Sequence, residues 1–137
     1  MEELKPILIA EDDSDDRYLI NRAFRDVMLP GQLKFVDSGK ELFKYLDLVL
    51  TDSQLPGLIV LDLNMPMMDG IETLVALKAS SRYKHIPVVI FTTSINPLEE
   101  QRSRALGATD FIIKPSSYDE VKHAAKLFHS YFGTRAD

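Results

Sequence analysis

Four short, nearly continuous apolar runs alternate with longer segments in which apolar residues recur at helical spacing. The runs occupy residues 7–10, 58–61, 88–91 and 111–113. Continuous apolar strands are typical of a parallel sheet that is covered by helices on both faces. The hydrophobic pattern therefore predicts an α/β domain.

A fifth strand is predicted at residues 33–37, where apolar and polar residues alternate as they do at the edge of a sheet. The segments between strands predict five helices. With right-handed crossovers, this order of elements favours a doubly wound, flavodoxin-like parallel sheet of five strands in the order 2-1-3-4-5. At 137 residues the chain fits one domain, residues 1–137.

Polar residues mark the helix ends. The first helix is predicted over residues 14–29, with Asp13 or Ser14 as its cap and Pro30 after it. Asn96 caps the fourth helix, which we expect to end near Gly107. The second and fifth helices open with predicted capping boxes, Ser38 with Glu41 and Ser117 with Glu120.

The inward residues predicted for the second and third helices are Leu42, Phe43, Leu46, Leu50, Ile71, Leu74, Val75 and Leu77.

Composition and charge argue against several classes of function and site. Sixteen basic and twenty-one acidic residues give a net charge of -5, which argues against direct nucleic-acid binding through phosphate neutralisation. The absence of cysteine excludes disulfides and thiolate metal sites. The N-terminus lacks the features of a signal peptide, and no apolar run is long enough to span a membrane. We therefore expect a cytoplasmic protein without a membrane partner.

Reactive side chains follow the apolar runs. Glu11 and Asp12 come after the first run, Asp62 after the run 58–61, Thr92 after the run 88–91, and Lys114 after the last. Because the carboxyl ends of parallel strands share one edge of a sheet, these side chains are expected to meet there.

The acids of this predicted site need a counter-charge, since like charges at about 4 Å repel by about 4 kcal/mol at an effective dielectric of 20. A hard cation with oxygen ligands, Mg²⁺, fits Glu11, Asp12 and Asp62 best. It lets a phosphoryl group approach a carboxylate, with Asp62 as the nucleophile. Lys114 and the Thr92 hydroxyl can each bind a phosphoryl oxygen.

Structural roles compete with this interpretation. Taken singly, an acid after a strand is often a helix cap or a solvated charge, and a lone lysine before proline is usually a surface residue. Thr92 alone is a common strand residue. The coincidence of reactive groups at four strand ends favours the functional interpretation.

These residues resemble the receiver domains of two-component response regulators. The resemblance covers nearly the whole chain and rests on the motifs at residues 7–13 and 61–70, on Thr92, and on Lys114 before Pro115. It implies that Asp62 is the phosphoacceptor and that Thr92 pairs with Phe111 as a switch, in which phosphorylation draws Thr92 inward and lets Phe111 occupy the vacated space. It also implies that Glu11, Asp12, Asp62 and the Asn64 backbone carbonyl bind Mg²⁺.

The resemblance also implies partners. A histidine kinase donates the phosphoryl group, and the chain shows only self-phosphorylation and autodephosphorylation rather than enzymatic turnover. The opening motif looks like that of stand-alone, chemotaxis-regulator-like proteins paired with phytochrome-type kinases. The signal then passes to a downstream protein target or a phosphotransfer protein, or to a homodimer through the surface of helix 4, strand 5 and helix 5.

Two alternatives stay open at this point. The first is a Mg²⁺-dependent phosphohydrolase of the haloacid-dehalogenase type, although such enzymes favour an Asp-x-Asp pair and Asp62 is followed two residues later by Asn64. The second is a pseudo-receiver, a binding module that works without phosphorylation.

Overall fold

The computed structural model describes residues 5–29 and 32–132. Five strands and five α-helices alternate along them, with one short 3-10 turn at Asp52–Gln54 before the third strand. The strands are β1 Pro6–Ala10, β2 Gln32–Val36, β3 Leu58–Leu61, β4 Val88–Thr92 and β5 Asp110–Ile113. The helices are α1 Ser14–Asp26, α2 Gly39–Asp47, α3 Gly70–Ala79, α4 Pro97–Ala105 and α5 Tyr118–Tyr131.

All strand pairs are parallel, and the sheet order is β2-β1-β3-β4-β5, as predicted. Alternate residues of each central strand enter two separate cores, because successive side chains of a strand point to opposite faces. On one face, Ile7 and Val60 pack with α1 and α5. On the other face, Leu8 and Ile59 pack with α2 and α3. The predicted doubly wound α/β fold is confirmed.

Two predictions of inward-facing residues are wrong. The second helix ends at Asp47, which leaves Leu50 exposed in the following segment. On α3 the buried face consists of Gly70, Thr73, Leu74 and Leu77, and Val75 is exposed. The small Gly70 and the hydrogen-bonded Thr73 take inward positions that a count of apolar residues alone does not reveal.

The helix ends differ in detail from the sequence pattern. Of the two predicted caps, Asp13 caps α1 and Ser14 is the first residue of the helix, which ends at Asp26 because Met28 adopts a left-handed conformation. Pro30, the predicted stop, lies outside the described residues. Ser38 and Ser117 each cap their helix without the reciprocal bond of a capping box, and within residues 5–29 and 32–132 the box with both bonds is Asp69 with Glu72 on α3.

Candidate functional site

The carboxyl ends of the central strands meet at one edge of the sheet. Ala10, the last residue of β1, is in register with Leu61 of β3, and the Asp62 backbone N–H donates to the Ala10 carbonyl at 3.2 Å. On the other side, the Lys114 N–H donates to the Thr92 carbonyl at 2.7 Å. The backbone ladder thus places the predicted site residues of four strands beside one another.

Three acids form a cluster at this edge. Glu11, Asp12 and Asp62 each offer a carboxylate oxygen, and these oxygens lie within 4.8 Å of one another. Glu11 and Asp62 are buried, at 2% and 7% exposure, whereas Asp12 is exposed. Burial is the largest influence on the pKa of Glu11 and raises it above its usual value, against the opposite effect of Lys114.

The donor set of this cluster fits a hard divalent cation. It consists of carboxylate oxygens only, two from buried side chains and one from a side chain open to water. Mg²⁺ favours one or two carboxylates and keeps several water ligands, so the exposed side of the cluster suits it. The Asn64 backbone N–H donates to Asp62 Oδ1 at 3.2 Å, which places this residue at the site as well.

Lys114 is the cation of the site. Its Nζ lies 2.9 Å from Asp62 Oδ2 and 2.8 Å from Asp16 Oδ2, and it also contacts Glu11. Burial by itself lowers the pKa of this lysine, but the hydrogen bonds to Asp16, Glu11 and Asp62 outweigh burial and raise the pKa above its usual value. Lys114 therefore stays protonated and offsets part of the negative charge.

The predicted switch residues lie on adjacent strands. Thr92 is fully buried, and its Oγ1 accepts a hydrogen bond from the Ser94 N–H at 3.3 Å. Phe111 is also buried, in the core beside α2 and α3. The movement that the resemblance implies, in which Thr92 draws inward and Phe111 occupies the vacated space, stays a prediction.

The sequence did not predict the part that two residues play in the site. Asp16 lies in the first turn of α1, and its side chain accepts a hydrogen bond from Lys114 Nζ. Gly70 allows α3 to approach the end of β3: a Cβ here would lie 2.4 Å from the Asp62 carbonyl oxygen and 2.8 Å from the Leu63 Cα. An Asp-Gly pair at the start of a helix was the available signal for such a close approach.

Both the sequence and the fold have counterparts among known proteins. Residues 7–126 match the family described as "Response regulator receiver domain". The chain belongs to this family. It is accordingly a receiver domain of two-component systems, and the resemblance seen in the sequence is confirmed.

Receiver relatives of similar length match most of the chain. The response regulator Rcp1 of Synechocystis sp. is 35% identical over 130 residues, which cover 93% of this chain and 88% of Rcp1. The probable methanogenesis regulatory protein FilR2 of Methanothrix harundinacea is 33% identical over 127 residues, which cover 92% of this chain and 82% of FilR2.

Solved receiver structures share the fold. The phosphorylated cyanobacterial phytochrome response regulator RcpA superposes with a TM-score of 0.85 at 30% identity, covering 98% of this chain and 100% of RcpA. The Mn²⁺-bound form of Rcp1 gives a TM-score of 0.82 at 28% identity, covering 95% of this chain and 96% of that one.

Other relatives are much longer than this receiver domain. The chain spans 30% of a protein-glutamate methylesterase/protein-glutamine glutaminase of Methanococcoides burtonii and 24% of a probable cyclic di-GMP phosphodiesterase of Vibrio cholerae. The activities in those names are those of the longer proteins. Among the described residues of this chain, no helix is both long and apolar enough to cross a membrane.

Proposed function

We propose that this receiver domain accepts a phosphoryl group on Asp62 from the phosphohistidine of a histidine kinase, in a Mg²⁺-dependent reaction. The observation that supports this most is the position of Asp62. Its carboxylate is buried at the end of β3, with one oxygen 2.9 Å from Lys114 Nζ and an oxygen within 4.8 Å of the carboxylates of Glu11 and Asp12. A carboxylate between an ammonium group and a cation-binding acid pair suits attack on a dianionic phosphoryl group.

The proposed transfer proceeds in two steps. One Asp62 carboxylate oxygen forms a bond to phosphorus while the phosphorus–nitrogen bond to the donor histidine breaks, and the imidazole leaves with the electron pair of that bond. The product is an acyl phosphate on Asp62. A water molecule later attacks phosphorus, the phosphorus–oxygen bond to Asp62 breaks, and inorganic phosphate leaves as the carboxylate re-forms.

The other residues of the site have separate proposed roles. Lys114 binds one phosphoryl oxygen, and the Thr92 hydroxyl donates to another. Glu11, Asp12, Asp62 and the Asn64 carbonyl hold Mg²⁺. The chemistry that Mg²⁺ supplies when bound is neutralisation of the charge on the phosphoryl oxygens. These roles make the domain a phosphoacceptor rather than an enzyme for a separate substrate.

The proposed output is a change in the surface of α4, β5 and α5. A phosphoryl group that engages Thr92 and Lys114 adds charge-assisted bonds at the ends of β4 and β5, which can shift a two-state equilibrium. Exposed apolar side chains support an interaction there: Ile95 just before α4, Leu98 on α4 and Ile113 on β5. We propose that this surface binds a downstream protein, a phosphotransfer protein, or a second copy of the chain.

We propose a phytochrome-type histidine kinase as the donor. The support is the likeness to the phytochrome response regulator RcpA and to the bacteriophytochrome response regulator AtBRR, which has a TM-score of 0.75 at 32% identity. Such kinases obtain their phosphoryl group from ATP, which is present in the cytoplasm. We therefore propose the cytoplasm as the place of action.

The test is phosphorylation by a small phosphodonor such as acetyl phosphate. The parent protein should gain the mass of one phosphoryl group in the presence of Mg²⁺ and lose it after brief treatment with base. Neither Asp62→Asn nor the parent without a divalent cation should gain it. Labelling of Asp62→Asn equal to the parent would refute the proposal, and sustained turnover of a phosphate ester would favour the phosphohydrolase.

A further inference from the structure

The Lys114 ammonium group contacts three carboxylates, and the proposed function accounts for only two of them. An ammonium group has three N–H donors. Here Glu11, Asp62 and Asp16 are the three acceptors, with Asp16 Oδ2 at 2.8 Å. Each donor therefore has a carboxylate partner before a phosphoryl group arrives, and Asp16 has no part in the proposed transfer or in the acid cluster.

The position of Asp16 is fixed by the helix to which it belongs. Its backbone N–H donates to Asp13 Oδ1 at 2.9 Å, which holds it in the first turn of α1. Its side chain is 33% exposed, and the side chain of Lys114 is only 10% exposed. Asp15 shares the same turn and the same favourable place at the positive end of the helix, but its side chain is exposed. Position in the helix alone therefore does not explain the contact of Asp16 with Lys114.

Asp16 has opposite effects on the two ligands that the site is proposed to bind. When ionised, Glu11, Asp12, Asp62 and Asp16 set four negative charges against the positive charge of Lys114. A fourth carboxylate attracts a divalent cation and repels a phosphoryl group, since both effects follow from the same local charge. It also occupies an N–H donor that a phosphoryl oxygen could use.

We propose that Asp16 is a positioning residue that competes with the phosphoryl group for Lys114, so that it weakens binding of the phosphoryl group while strengthening binding of the cation. This inference rests on the proposed function of Asp62. It gives Asp16 a part in setting how readily the phosphorylated state forms, through Lys114 rather than by contact with the reacting atoms.

The test compares Asp16→Asn with the matched variant Asp15→Asn, which removes the same charge from the same helical turn. Calorimetric titration measures Mg²⁺ binding first, and then beryllofluoride binding at saturating Mg²⁺. Asp16→Asn should bind beryllofluoride about threefold or more tightly than the parent and bind Mg²⁺ more weakly, because the charge of a close carboxylate is gone. Asp15→Asn should leave both affinities near those of the parent, and Asp16→Glu should restore values near the parent.

The outcomes separate the two proposals. If the parent binds beryllofluoride and Asp16→Asn does not differ from Asp15→Asn, the role of Asp16 is refuted and the function of Asp62 stands. If Asp16→Asn weakens both ligands together, Asp16 is merely structural, and the proposal is again refuted. If the parent fails to bind beryllofluoride with Mg²⁺ present, the proposed function is refuted, and the role of Asp16 is refuted with it.

Discussion

Lys114 Nζ lies 2.9 Å from Asp62 Oδ2, although 52 residues separate the two positions in the chain. One residue follows β3 and the other follows β5, with β4 between these strands in the sheet. The contact therefore depends on the complete parallel sheet rather than on local structure. It joins the proposed phosphoacceptor to the group that is proposed to bind the phosphoryl oxygen.

Replacing Lys114 should destabilise the fold. Lys114→Met leaves the buried carboxylates of Glu11 and Asp62 without their cation, and a buried charge that loses its partner is costly. We expect the free energy of unfolding to fall by about 2 kcal/mol at pH 7 without divalent cations, less than for a fully buried pair because Asp16 and Asp12 keep the site in contact with water. Urea denaturation measures this difference.

The matched control is Lys122→Met, which breaks the surface pair with Asp119. Exposed pairs contribute little, so this variant should lose less than about 0.5 kcal/mol. Equal losses in the two lysine variants would contradict the assignment of Lys114 as the counter-charge of a buried site.

Glu11 should make stability depend on pH. Burial raises the pKa of Glu11 in the folded protein, so the native state holds this proton more tightly than the unfolded chain does. Below the usual glutamate pKa of about 4.3, the residue is protonated in both states and burial of the charge costs nothing. As the pH rises from there through the raised pKa of the folded protein, the free energy of unfolding falls.

Glu11→Gln removes this charge, so without divalent cations it should be more stable than the parent at pH 7 and lose that advantage near pH 4. Urea denaturation across this pH range measures the two curves. Glu41→Gln on the surface of α2 is the control and should follow the parent. An advantage for Glu11→Gln that did not change with pH would show that its cause is not the carboxylate charge.

The C-terminal end of α1 offers a stabilising substitution. Met28 has φ 55°. Its N–H donates a hydrogen bond to the Arg25 carbonyl, and the Leu29 N–H donates one to the Phe24 carbonyl. These are the two bonds of a Schellman motif, in which glycine is the usual residue at the position of Met28. Because Met28 is 87% exposed, Met28→Gly removes strain while removing little packing.

We expect Met28→Gly to raise the free energy of unfolding by about 0.5 to 1 kcal/mol, after the entropic cost of a glycine in the unfolded chain. Thermal denaturation measures the gain. Leu50→Gly is the control, since Leu50 is equally exposed but lacks a positive φ, and it should gain nothing. A loss of stability in Met28→Gly would contradict the strain at this position.

Gly70 should tolerate no side chain. A Cβ at this position meets the backbone of Asp62 and Leu63, which cannot move without shifting the end of β3. Gly70→Ala should therefore cost about 2 kcal/mol or more of stability and reduce phosphorylation as well. In Gly57→Ala, by contrast, the new Cβ meets ring atoms of Phe132, which can rotate, so the cost should be smaller. Urea denaturation of the two variants tests this order.

The sequence predicts the sheet and the strand-end residues for a physical reason. Buried parallel strands require continuous apolar runs, and parallel strands place their carboxyl ends together, so Asp62 and Lys114 could be expected to meet. Asp16 could not be distinguished from Asp15, because the rotation of α1 against the sheet decides which carboxylate reaches Lys114. Phe111 could not be assigned an inward or outward position, because its burial depends on packing between strand and helices.

The most direct test of the central proposal is the location of the phosphoryl group. After reaction with acetyl phosphate and Mg²⁺, borohydride reduces an acyl phosphate of aspartate to homoserine, and mass spectrometry of the peptides identifies the altered residue. We expect homoserine at position 62 and unaltered acids at Glu11, Asp12 and Asp16. Reduction at another acid, with Asp62 intact, would contradict the account.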